Sequence, residues 1–156
     1  MEILEGLFLI NDADVYVRFG AFLAEKSDDG NENYDSILLP PKLKDQRKVS
    51  LEDEDGERMP DQIVQVFDGR DITLQFAIAA PDSRTFLSRY FGFIKFLKEG
   101  ENGWLTLKLT DVGLQFRVLM TSFSRYSQLV PFGNGLVAAR FSVKFREPNP
   151  TFEIQE

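Results

Sequence analysis

The 156 residues carry 18 Lys+Arg against 25 Asp+Glu, a net charge of −7, with no histidine and no cysteine. The two zeros exclude disulfides, thiolate nucleophiles, Cys-ligated metal sites, Ser-His-Asp triads and H-E-x-x-H helices, leaving Asp/Glu, Lys, Tyr, Ser and Thr as catalytic groups. The acidic balance argues against a protein that clings to DNA phosphates, and no apolar run reaches the roughly 18 residues of a membrane span.

The length fits one domain over residues 1–156, and 43% apolar and 13% aromatic content, with 15 Phe, suffices for its core. Met1-Glu2-Ile3-Leu4-Glu5 lacks the basic start and long apolar stretch of a signal peptide, so export by that route is not expected. Val15, Val17 and Phe19 alternate with Tyr16 and Arg18 and predict a strand. The segment from Glu25 to Asp61 holds twelve acids against six bases, so the rest of the chain is nearly neutral. With Gly30 and Pro40-Pro41 it reads as long surface loops around one or two short strands, Arg47 to Leu51 being the best strand candidate. Loops of this length in a compact domain go with function, partner contact or disorder. Ile63 to Phe67 is a short apolar stretch ended by the turn signal Asp68-Gly69.

Period-2 alternation then dominates. Ile72, Leu74, Phe76 and Ile78 form one strand face; Leu105, Leu107 and Leu109 a second; Leu114, Phe116, Val118 and Met120 a third; Val137 to Phe145 a fourth. Each run buries one face and wets the other, which predicts an antiparallel sheet. Asp111-Val112-Gly113 between two runs predicts a hairpin. One helix interrupts the pattern. Asp82 or Ser83 caps it after Pro81, Phe86 to Leu97 follow helical spacing, and Gly100 stops it. The fold class is therefore mainly β (α+β): an antiparallel β-sandwich or split barrel with one packed α-helix.

Few motifs carry chemistry. Asp53-Glu54-Asp55-Gly56 looks like part of a calcium loop, but the frame requires acids where Leu51 and Gln62 stand, so a solvated turn is the better reading. Asp28-Asp29-Gly30 is likewise a polar loop. There is no P-loop and no G-x-G-x-x-G, and no cofactor or metal site is expected. The aromatics Phe86, Tyr90, Phe91, Phe93 and Phe96 at helical spacing read as core or interface. Phe91 and Phe96 fall off the Phe86/Tyr90/Phe93 line, and this surplus is most simply a subunit contact. Trp104 is out of register with Leu105, Leu107 and Leu109 and faces the opposite side.

The order of these elements carries a resemblance. Leu7 to Asn11 and Asp14 to Gly20 open the chain, Leu38-Leu39-Pro40-Pro41-Lys42 and Asp53 to Asp61 follow, then Gly69 to Phe76, the helix Asp82 to Leu97, and Arg140 to Phe145 running into Arg146-Glu147-Pro148-Asn149-Pro150. Nearly the whole chain resembles phage and prophage tail proteins of the distal-tail type, specifically their N-terminal ring-forming domain, with the tail-tube proteins as relatives. The resemblance implies a non-enzymatic virion structural protein, assembled in the bacterial host cytoplasm and located in the virion tail. It implies a hexameric ring below the tail tube that joins tube to baseplate or tip and leaves a channel for DNA as passing cargo, with no membrane anchor. Longer members of that group add a C-terminal carbohydrate-binding domain, for which these 156 residues leave no room.

On this reading Phe86, Tyr90, Phe91, Phe96 and Trp104 are the assembly interface, and Asp28, Asp29, Asp53, Glu54 and Asp55 lie on lumen or partner loops. Two other readings stand beside it. A β-sandwich module would bind carbohydrate on Trp104, Tyr126 or Phe132. An acid-dependent hydrolase would need two carboxylates across a cleft, and without histidine it ranks last.

Overall fold

The computed structural model describes residues 6–24, 32–133 and 135–151. The described elements are β1 (Phe8–Ile10), β2 (Ala13–Asp14), α1 (Val15–Phe19), β3 (Ala21–Leu23), α2 (Glu32–Leu38), β4 (Arg70–Ala80), α3 (Ser83–Glu99), β5 (Leu105–Leu109), β6 (Leu114–Val130) and β7 (Val137–Glu147). The strands form one seven-stranded sheet in the order β2-β1-β5-β6-β7-β4-β3, with every pairing antiparallel.

The alternation seen in the sequence sets the sheet faces. Ile72, Leu74, Phe76 and Ile78 on β4 are fully buried, as are Val137, Ala139, Phe141, Val143 and Phe145 on β7. These two strands pair over their full length, Arg70 opposite Glu147 and Ala80 opposite Val137. The long strand β6 joins two half-sheets. Its residues 114–118 pair with β5, and from Leu119 onward it pairs with β7. The halves face each other across a common core, where Phe8 of β1 meets Phe76 of β4 edge to face at 5.8 Å. This is the expected antiparallel, mainly β architecture with the helix packed into it.

Helix α3 spans Ser83–Glu99, close to the predicted range, for the predicted reasons. The Asp82 carboxylate accepts the Thr85 backbone N–H at 2.8 Å, and the Gly100 N–H caps Phe96 O. Accepting those Thr85 hydrogen bonds holds the Asp82 carboxyl below its usual value. Phe86, Phe93 and Leu97 are buried. Phe93 sits among Phe76 (5.4 Å), Phe19 (5.5 Å) and Phe141 (6.0 Å). Ring pairs in this distance range add to the stabilisation from their buried area.

Three sequence expectations need correction. Val15–Phe19 is a helix, not a strand: Asp14 Oδ1 accepts the Tyr16 N–H, and Gly20 closes the turn in the left-handed region at φ 67. Val15 and Phe19 are then buried one turn apart while Val17 is 64% exposed. The five-residue stretch fits a 2-residue period by chance, and its caps decide. A third helix, α2, replaces part of the expected loop and acts as a surrogate strand on the β4 edge. Asn33 Oδ1 accepts the Gln75 N–H at 2.6 Å, Asn33 Nδ2 donates to Gln75 O, and Ser36 Oγ accepts the Thr73 N–H. Finally, Arg47 to Leu51 is no continuous strand; only Val49 bridges, to Arg58.

Candidate assembly surface

The chain exposes 10244 Å², whereas a compact monomer of 17.9 kDa shows roughly 8,000 Å². Residues 42–68 contribute to the excess. All but Gln46 are exposed, including Leu43, Val49, Leu51, Met59, Ile63, Val64, Val66 and Phe67. The segment runs out and back as a two-legged arm. Leu43 bridges Phe67, Lys44 N–H donates to Val66 O, Gln46 Nε2 donates to Val64 O, and Val49 and Arg58 exchange both backbone bonds. An arm this thin has no core of its own, so its apolar side chains stay wet unless another surface covers them.

The charge along the arm is polarised. Its root holds Lys42, Lys44, Arg47 and Lys48 against Asp45 and Asp61, and its tip, from the Val49–Arg58 bridge outward, holds Glu52, Asp53, Glu54, Asp55 and Glu57 against Arg58. Glu54 pairs with Arg58 and Glu57 with Lys48. Asp53, Glu54 and Asp55 thus stand on an exposed tip rather than in a cleft. Asp28 and Asp29 lie outside the described residues.

Arg70, the first residue of β4, ties down the root of the arm. Its guanidinium donates to Glu147 Oε1 and to the carbonyls of Ile37 and Leu39, each at 2.7 Å. It also lies over the Phe116 ring at 5.5 Å. Arg70 is 6% and Glu147 1% exposed. Burial pushes the Glu147 carboxyl above its usual value, and Arg70 draws it part of the way back.

The second open surface is a sheet edge. Beyond Val118, β6 pairs with β7 on one side, and no strand borders its other edge among the described residues. Thr121, Ser122, Ser124, Arg125, Tyr126, Ser127 and Leu129 are exposed along it. The alternating run predicts this strand to Met120 within a hairpin that reaches Phe123, and the strand continues to Val130. The mixed run from Thr121 to Val130, rich in Ser with interspersed aromatics, was the available signal for its continuation. Irregular register at Met120/Ser122, Ser124/Ser127 and Gln128/Val130, with Arg125 at φ 55, marks bulges that break its alternation.

The predicted interface residues separate in space. Phe91 is 60% exposed on the outer side of α3. Phe86 is fully buried, so the expectation that it forms a contact surface is corrected: its ring packs on Tyr90 and Phe132 inside the fold. Tyr90 is half-buried between Phe86, Phe91, Tyr126 and Phe141, and burial raises its phenol above the usual value. Phe96 packs on Phe19 beneath the Arg18 guanidinium at 4.9 Å. Trp104 lies half-buried under Arg117 at 4.1 Å, on the side opposite the leucines as expected. Tyr126 and Phe132 therefore share one aromatic cluster, whereas no ring contact joins Trp104 to it among the described residues. Among those residues no three His, Cys, Asp or Glu side chains gather as a metal site, and no helix is long and apolar enough to cross a membrane.

No protein-family model and no curated protein matches the sequence. Among solved structures, the crystal structure of SPP1 Dit (gp 19.1), described as a paradigm of the hub adsorption apparatus in phages that infect Gram-positive bacteria, superposes with a TM-score of 0.56. The match covers 92% of this chain at 10% identity. The fold is Dit-like. This chain spans 50% of the length of the SPP1 Dit chain.

Proposed function

We propose that this chain is a structural, non-enzymatic component of a phage or prophage tail: residues 1–156 act as one ring-forming unit, six copies of which join the tail tube to the baseplate or tip. The observation that carries this reading is the Dit-like fold over 92% of the chain. The open surfaces support it. A closed ring needs a heterologous contact, in which one patch of each subunit meets a different patch of the next. The unpaired edge of β6 and the exposed arm are two such unlike patches, each with unsatisfied backbone or apolar groups. The net charge of −7 suits a conduit that DNA crosses as cargo without adhering. The tail-tube and baseplate or tip proteins are the partners, and the virion tail is the location.

Light scattering and negative-stain microscopy, alone and with the cognate tail-tube protein, test this. The expected result is a discrete ring of about 107 kDa, six times the chain mass of 17.9 kDa. A single ring that caps tubes supports a hub, whereas rings that stack indefinitely point to a tube subunit instead. A chain that stays monomeric under both conditions refutes the proposal.

A further inference from the structure

We infer that the outer face of α3 receives the acidic arm tip of a second copy of this chain; the inference rests on the ring reading above. Helix α3 has two apolar stripes. Phe86, Phe93 and Leu97 face the core, while Leu87, Phe91 and Ile94 form a line on the outside, spaced four and three residues apart. Such spacing places side chains in a row along one helix face. Leu87 is 38% and Phe91 60% exposed. Phe91 and Ile94 line a shallow groove with Lys95, Lys98 and Glu99. Arg84, Lys95 and Lys98 flank the row, and none of the three has an ion-pair partner among the described residues.

The arm tip is the complement. Leu51 (39% exposed) and Met59 (44% exposed) are its apolar centre. Around them Glu52, Asp53 and Asp55 have no cationic partner among the described residues. An apolar row rimmed by bases thus meets an apolar tip rimmed by acids. Both surfaces stay open within one chain and are therefore free to meet between two copies. The polarity of the arm also sets its direction. At the root Lys42 pairs with Asp45 and Lys48 with Glu57, which leaves Lys44 and Arg47 to be repelled by the bases of α3, so the tip rather than the root seats there. Each copy carries one tip and one receptor, the arrangement that head-to-tail ring closure requires.

The absence of cysteine allows a direct test. Asp55→Cys in one tagged chain and Lys95→Cys in another are mixed and oxidised, with Val112→Cys on the β5–β6 hairpin as the control partner. The expected result is a disulfide-linked heterodimer of Asp55→Cys with Lys95→Cys, about tenfold above the control. In parallel, Lys95→Glu/Lys98→Glu weakens assembly, and adding Asp53→Lys/Asp55→Lys to the same chain restores it. Circular dichroism checks that each variant is folded. If wild-type rings form but the cross-link equals the control and the charge reversal changes nothing, the docking site is overturned and the ring reading stands. If wild type forms no oligomer, with or without the tail-tube protein, both are overturned.

Discussion

Replacing Arg70 with methionine removes the group that ties the end of α2 and the root of the arm to the last residue of β7. The guanidinium donates three hydrogen bonds of 2.7 Å, and all three acceptors lose their donor together. Glu147, 1% exposed, is left without its cation. Breaking a buried pair from one side costs about 3–5 kcal/mol. The stranded carbonyls of Ile37 and Leu39 add about 1 kcal/mol each. The single variant should thus lose about 5 kcal/mol or more, comparable with the whole stability of a marginal domain. Arg70→Met/Glu147→Met removes both charges, so only the loss from the two carbonyls, about 2 kcal/mol, should remain.

Urea unfolding followed by Trp104 fluorescence and circular dichroism reads these differences. With a slope of about 2 kcal/mol per molar, the midpoint should fall by about 2–3 M in the single variant and about 1 M in the double. The pH dependence has a defined sign. Glu147 already titrates above its usual value of 4.5, and Arg70 is what restrains it. Without Arg70 the folded carboxyl binds its proton more readily than the unfolded one. The penalty is therefore present at neutral pH and relieved as pH falls through the raised value, so Arg70→Met should cost less at about pH 5 than at about pH 8. A midpoint shift below about 0.5 M, a double variant less stable than the single, or a cost independent of pH would refute the charge argument.

Gly100→Ala should be destabilising by about 2 kcal/mol or more, lowering the melting temperature by about 4–8 °C. Gly100 has φ 49, and a Cβ there would overlap the Trp104 carbonyl oxygen. Gly103→Ala, at φ 87 with open space around the added carbon, should cost clearly less; equal losses in a thermal melt would contradict the steric account. Asp82→Ala should lower the melting temperature at pH 7 by uncapping α3. Because the Asp82 carboxyl sits below its usual 3.8 in the fold, its contribution is present above that value and fades as pH falls below it. A difference between wild type and Asp82→Ala that persists unchanged in strong acid would show that the cap does not act through the carboxylate.

The alternating runs of β4, β5 and β7, the caps of α3 and the β5–β6 hairpin were legible because each depends on neighbours a few residues away. So, in part, was the surplus of apolar positions on α3: Phe91, off the Phe86/Tyr90/Phe93 line, is 60% exposed, whereas Phe96, off the same line, packs on Phe19, a contact that only the tertiary fold supplies. Val15–Phe19 shows the limit of periodicity, since five residues fit both periods and Asp14 and Gly20 settle the outcome. The chain by itself determined a mainly β fold with one long helix, and it concentrated the acids in one segment. Only the tertiary structure decided that this segment folds out as an arm with a basic root and an acidic tip. Only the structure, too, showed that the distal edge of β6 has no strand beside it, and that Arg70 and Glu147, 77 residues apart, meet in the interior. Those outcomes turn on which distant segments pair, and pairing is set by the register of the whole sheet rather than by any local run.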